Sequence, residues 1–93
     1  ITTVSCFAPR VPDKVDKVAK FCQDANVYHV INSAYGLQCA VISKLINRAC
    51  VIGRVDAIIC STDKNFLVPV GTCLSSCCCN WLEFYRLVYL SQC

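Results

Sequence analysis

Between residues 12 and 25, Val15, Val18, Ala19, Cys22 and Ala25 recur at steps of three and four, with Lys14, Asp16, Lys17, Lys20 and Asp24 on the other faces. That spacing predicts an amphipathic helix with one apolar stripe. Pro12 suits the first turn, Asp13 is favourable near the amino end, and Asn26 ends the run. Short segments of the opposite habit flank it. ITTVSCF (1–7) is rich in β-formers and stops at Ala8-Pro9, where helix is disfavoured, and VYHVIN (27–32) is a second β-rich run. A helix between two strands constrains the fold more than any other feature here, because strands joined through a helix normally lie parallel.

The unit then repeats. A glycine turn, SAYG (33–36), leads to residues 39–50, where apolar pairs at 41/42, 45/46 and 49/50 predict a second helix with a broad buried face, stopped by Gly53. AIIC (57–60) is apolar throughout and suits a buried parallel strand. FLVPV (66–70) predicts a further strand, which Pro69 makes an edge or irregular one. The order strand, helix, strand, helix, strand, strand predicts an α/β architecture with a mostly parallel sheet and right-handed crossovers.

Three strands and two helices cannot cover their own surface in this chain. Apolar residues make up 56% and charged residues 16% of 93 positions, against about 25% charged in an average domain. The chain therefore reads as a slice of a wider sheet, or as a segment that folds against a partner. Its net charge of +3 and pI near 8.4 neither demand nor exclude an RNA partner. Cys6, Cys22, Cys39, Cys50 and Cys60 stand singly among apolar neighbours, as buried free thiols do, whereas Cys73, Cys77, Cys78, Cys79 and Cys93 crowd the tail. With no basic-then-apolar leader at the start, this reads as a reducing, cytoplasmic setting and a chain that begins mid-domain.

Residues 72–93, TCLSSCCCNWLEFYRLVYLSQC, change character. Residues 81–90 predict a short helix with Trp81, Phe84, Tyr85, Val88 and Tyr89 along one side. Pro69, Gly71, Ser75, Ser76 and Asn80 argue against a membrane span in the uncharged stretch 65–82. The Cys73–Cys79 cluster lacks the second spaced pair of a structural zinc site, and no metal site is assigned; a lipidated cluster is the other minor reading.

Lys64 is the first candidate for chemistry. It follows the AIIC strand, at the edge where open α/β sheets bind ligands. A desolvated lysine becomes a neutral amine able to condense with a carbonyl, but the commoner role of a loop lysine is a solvated charge, and position alone favours that role. Asn32 ends the preceding strand at the same edge; it could hydrogen-bond a ligand's ring nitrogen or, more commonly beside a glycine turn, cap that turn. His29 lies three residues earlier, on the opposite side of the strand, and reads as a core or surface residue. No dinucleotide fingerprint or phosphate-binding loop is present.

Three stretches together resemble one family. SCFAPRVPD (5–13), HVINSAYGLQ (29–38) and GRVDAIICSTDKNFLVPVG (53–71) are similar to the O-phosphoseryl-tRNA(Sec) selenium transferases, the selenocysteinyl-tRNA synthases of eukaryotes and archaea. The resemblance implies a slice of a fold-type-I, pyridoxal-phosphate-dependent transferase large domain, three-layer α/β/α, over residues 1–71, followed by a non-family tail at 72–93. It implies that Lys64 forms the Schiff base with pyridoxal 5'-phosphate, that Asn32 partners the pyridine nitrogen, and that Ala34 lies beneath the ring. It implies conversion of O-phosphoseryl-tRNA(Sec) to selenocysteinyl-tRNA(Sec) with selenophosphate as donor, in a homotetramer whose sites form between subunits. Val51 departs from the pattern, standing where the family has an arginine associated with tRNA contact. The loops that grip the cofactor phosphate are expected upstream in full-length members. A non-catalytic product of the same locus, acting through partner contacts if at all, is the competing expectation.

Overall fold

Asp13 decides where the first helix begins. Its backbone N–H donates to the Thr3 carbonyl at 3.0 Å, its Oδ2 accepts the Thr3 N–H at 2.7 Å, and Arg10 pairs with its Oδ1. Asp13 is thus spent on the first strand, and the helix expected from residue 12 starts at Val15 instead. The computed structural model describes residues 1–6, 8, 10–66 and 73–76, with the backbone alone for 65, 66 and 73–76. Its elements are β1 (Thr2–Ser5), α1 (Val15–Asp24), β2 (Val30–Ser33), a short 3-10 turn (Gly36–Gln38), α2 (Ala40–Ile52), β3 (Ala57–Ser61), α3 (Thr62–Phe66) and β4 (Cys73–Ser76).

The strands lie in the order β1-β2-β3-β4, the first three parallel and β4 antiparallel to β3. Thr3, Asn32 and Ile59 share one row across the sheet. The mostly parallel α/β slice read from the sequence is therefore what forms. Two particulars differ. Phe66, placed in a strand by its β-rich run, belongs to α3, while residues 67–70 of that run lie outside the described residues. The strand that closes the sheet is Cys73–Ser76, in a stretch without a legible strand pattern. The helix expected at 81–90 and the cysteines at 77–79 also lie outside the described residues.

Both long helices pack on one face of the sheet. Val15 and Ala19 of α1 and Ile42, Ile46 and Ala49 of α2 bury against Val4, Ile31, Ile58 and Cys60. Burying each of the Val and Ile side chains contributes about 1.5–3 kcal/mol, and each alanine methyl about 0.8 kcal/mol. The other face is thinly covered. AIIC was expected to be buried on both sides, but Ile58 and Cys60 are buried while Ile59 is 41% exposed, because among the described residues no element packs over its row.

Two helix ends show how the chain turns. Asn26 takes a left-handed φ of 52°; its N–H donates to the Gln23 carbonyl at 3.3 Å, and that of Val27 to the Cys22 carbonyl at 2.9 Å. This is the Schellman pattern, with Asn in the usual glycine place. Gly53 ends α2 differently, with extended backbone at φ −154°. A Cβ there would sit 2.3 Å from the Ala19 carbonyl carbon and 2.4 Å from the Lys20 nitrogen, so glycine is required by close approach to α1.

The cysteines divide. Cys22 and Cys60 are buried free thiols, as expected, and burial pushes the Cys60 thiol up to about 11. Cys6 is half-buried and Cys39 exposed, both free. Cys50 departs from expectation and is disulfide-bonded.

Candidate functional site at the carboxyl edge

The parallel strands β1, β2 and β3 end together, and the chain beyond each of them meets the others at one edge. β1 brings Ser5, whose Oγ accepts the Tyr35 N–H at 3.0 Å. β2 delivers Asn32 and the turn at Ala34 and Tyr35. β3 delivers Ser61 and passes directly into α3, which carries Asp63 and Lys64 and lies against the 3-10 turn. The two residues read from the sequence as site candidates, Lys64 and Asn32, are therefore brought to the same edge.

Lys64 is not the desolvated amine that covalent chemistry requires. Its side chain is 34% exposed, and its Nζ donates to Asp63 Oδ2 at 2.5 Å and stands 5.7 Å from the centre of the Tyr35 ring. The hydrogen bond to Asp63 holds the ammonium above the ordinary lysine range, outweighing the smaller opposing effect of lost solvent. Asp63 is more enclosed, 10% exposed at its side chain, and its Oδ1 accepts the Ser61 hydroxyl. Lys64 first, and Ser61 second, hold the Asp63 carboxyl below its usual range. Asp63, Ser61 and Tyr35 were missed in the sequence, although the STDK run and the AYG turn carried the signal.

Asn32 does what a residue beside a turn commonly does. Its Oδ1 accepts the Ala34 N–H at 3.1 Å, fixing the turn that follows β2. With Oδ1 committed, its Nδ2 is the donor available to an acceptor at this edge. Ala34, small and half-buried, sits inside that turn.

The opposite edge is organised around charges that face inward. Arg54 donates from Nε to both oxygens of Asp56 at 2.9 and 3.0 Å, and from a terminal nitrogen to Asn26 Oδ1 at 2.7 Å. It also stacks 4.4 Å from the centre of the Tyr28 ring. Asp56 in turn accepts the His29 N–H at 2.8 Å, the largest of the effects that hold its carboxyl low. His29 is buried, with Nε2 2.8 Å from Thr2 Oγ1 and Nδ1 3.0 Å from the Arg54 carbonyl. A carbonyl only accepts, so Nδ1 carries a proton. This histidine ties together the starts of three strands; it is a core residue.

Among the described residues, no group of three His, Cys, Asp or Glu side chains is placed to hold a metal ion. No described helix is long and apolar enough to cross a membrane.

Parallel strands under one helical layer, with a lysine on the loop side of the carboxyl edge, form a slice of an open α/β sheet. The crystal structure of an archaeal O-phosphoseryl-tRNA(Sec) selenium transferase superposes with a TM-score of 0.74 at 32% identity, over 92% of this chain and 20% of that one. The family model for O-phosphoseryl-tRNA(Sec) selenium transferase matches residues 1–77, and the chain belongs to that family. The selenium transferase of Dictyostelium discoideum is 57% identical over 75 residues, which is 81% of this chain and 16% of that protein. Those of Caenorhabditis elegans and Methanopyrus kandleri are 51% and 45% identical over 71 residues, 76% of this chain. The chain thus spans about one sixth of the length of these relatives. The family match takes in β4.

Proposed function

We propose that this chain carries the cofactor-lysine segment of an enzyme that converts O-phosphoseryl-tRNA(Sec) to selenocysteinyl-tRNA(Sec), using pyridoxal 5'-phosphate as cofactor and selenophosphate as selenium donor. The observation that carries the reading is Lys64 at the carboxyl edge of β3, beside the Asn32–Tyr35 turn, in a chain of this family. Bound pyridoxal phosphate would supply an electron sink for loss of phosphate from the seryl side chain.

The residues present fit the two reactive ends of such a cofactor. Lys64 offers the amine that condenses with its aldehyde once the Asp63 contact is released. Asn32 offers Nδ2 to an unprotonated ring nitrogen, whereas an aspartate there would hold a proton on that nitrogen. Ala34, which this reading places beneath the ring, has the smallest side chain at the turn. A group that shuttles protons at the substrate carbon must come within hydrogen-bond reach, and the flexible Lys64 stem allows that. The phosphate-gripping loops, tRNA(Sec) contacts and subunit contacts fall to the rest of a full-length homo-oligomer in the cytoplasm.

Adding pyridoxal phosphate to the 93-residue chain should raise an absorbance band near the visible edge. Lys64→Ala should abolish it, and borohydride should fix the cofactor's mass on the peptide carrying Lys64. A band that survives Lys64→Ala overturns the reading. No band at all, together with no band when the segment sits within a full-length member, leaves the non-catalytic alternative standing.

A further inference from the structure

We infer that Asp63 is the positioning residue of Lys64: its carboxylate, steered by the Ser61 hydroxyl, holds Nζ at the carboxyl edge beside Tyr35 and releases it only when the amine reacts. The inference rests on Lys64 being the cofactor lysine, but its geometry stands apart from any cofactor. The two oxygens of Asp63 are divided between two partners, Oδ1 to Ser61 and Oδ2 to Lys64. The anion is the more enclosed member of the pair, with a side chain 10% exposed against 34% for the lysine. An enclosed carboxylate that loses its cation is left short of a partner, and that favours keeping Lys64 charged and in place.

The surroundings of Lys64 give Asp63 no charged competitor among the described side chains. Besides Asp63, the Tyr35 ring from the turn after β2 is the titratable group that acts on Lys64, and α3 itself lies against the 3-10 turn and β3. Condensation of Lys64 with an aldehyde needs the Nζ lone pair. The ammonium first gives its proton to solvent, Nζ then forms the C–N bond, and the carbonyl oxygen leaves as water. Asp63 opposes the first of these steps, so it sets the pH at which Lys64 becomes available.

The test is reductive methylation of the 93-residue chain with formaldehyde and cyanoborohydride across a pH series, read on the peptide that carries Lys64. The hydride donor reduces the imine, so each event adds a methyl group that mass spectrometry counts. Asp63→Asn should move the Lys64 profile to lower pH and raise its rate about threefold or more at mildly alkaline pH, as loss of an adjacent opposite charge requires. Asp63→Glu should restore most of the wild-type profile, and Ser61→Ala should shift it in the same direction as Asp63→Asn but less. Profiles that superpose for wild type and Asp63→Asn, with matching circular dichroism, overturn the assignment. If Asp63→Asn does not fold, an unshifted Ser61→Ala profile overturns it instead. Pyridoxal phosphate titrated in parallel separates the two readings. Superposed methylation profiles beside a Lys64-dependent band sink the Asp63 role alone, whereas shifted profiles with no band, here and within a full-length member, support it and count against the cofactor reading.

Discussion

The two edges of the sheet spend their polar groups in opposite ways. At the amino edge, His29, Arg54 and Asp56 reach partners far away in sequence: His29 to Thr2 and to the Arg54 carbonyl, and Arg54 to Asn26. At the carboxyl edge, Lys64 bonds its neighbour Asp63, Asp63 bonds Ser61, and Asn32 bonds Ala34. The first set exists only when three strands are assembled. The second is nearly all local and, the enclosed Asp63 apart, cheap to rearrange. An edge built to hold the fold needs the first arrangement, and an edge built to admit a ligand needs the second.

The glycines put that contrast to its hardest test. Gly53→Ala drives a Cβ into the backbone of α1, which cannot turn aside, and should destabilise by more than about 3 kcal/mol in urea unfolding. Gly36→Ala, at the carboxyl edge, meets the Ser33 and Ile42 side chains at 2.5 and 2.6 Å and should cost about 1–2 kcal/mol, since side chains can repack. Equal losses would break the distinction. His29→Leu orphans the Thr2 hydroxyl and the Arg54 carbonyl at about 1–3 kcal/mol each, whereas Lys64→Ala, which leaves Asp63 its Ser61 partner, should lower the urea midpoint only slightly. A large midpoint change in Lys64→Ala would recast that lysine as structural.

Acid should sharpen the comparison further. The Asp56 carboxyl is held low, chiefly by the His29 N–H, so its contribution is complete above the ordinary carboxylate pKa of about 3.9 and fades as pH falls through its folded value. Asp56→Asn should flatten stability against pH over that acid range. Lys64 runs the other way: its raised folded value gives a contribution present at neutral pH and lost as pH climbs through that value, small because solvent screens the pair. An unchanged acid slope in Asp56→Asn would show that the amino edge does not depend on this charge. Asn32→Ala should have the smallest effect, about 0.5–1.5 kcal/mol from one turn hydrogen bond, seen as a slightly lower melting temperature.

What could be read in advance follows the range of the forces involved. The stripe of α1 was legible because period and length agree, and Asn26 because a left-handed residue closes that helix. The edge position of Lys64 followed from strand order alone. The delayed start of α1 did not, since it depends on Asp13 bonding Thr3 ten residues away. Nor did the purpose of Gly53, whose neighbour in space is Ala19. β4 escaped notice because Cys-Leu-Ser-Ser has no alternation to mark it; only its pairing with β3 makes it a strand. The Asp63–Lys64 contact lay in plain view as adjacent letters, but a dipeptide does not reveal which way its side chains turn.

The imidazole of His29 doubles as a spectroscopic beacon. Its Nδ1 proton is held by the Arg54 carbonyl ahead of β3 while Nε2 meets Thr2 in β1, so that proton resists exchange only while the ring stays seated between them. One downfield proton resonance would then count assembled molecules directly, and its disappearance in a titration would time the parting of the strands without any label.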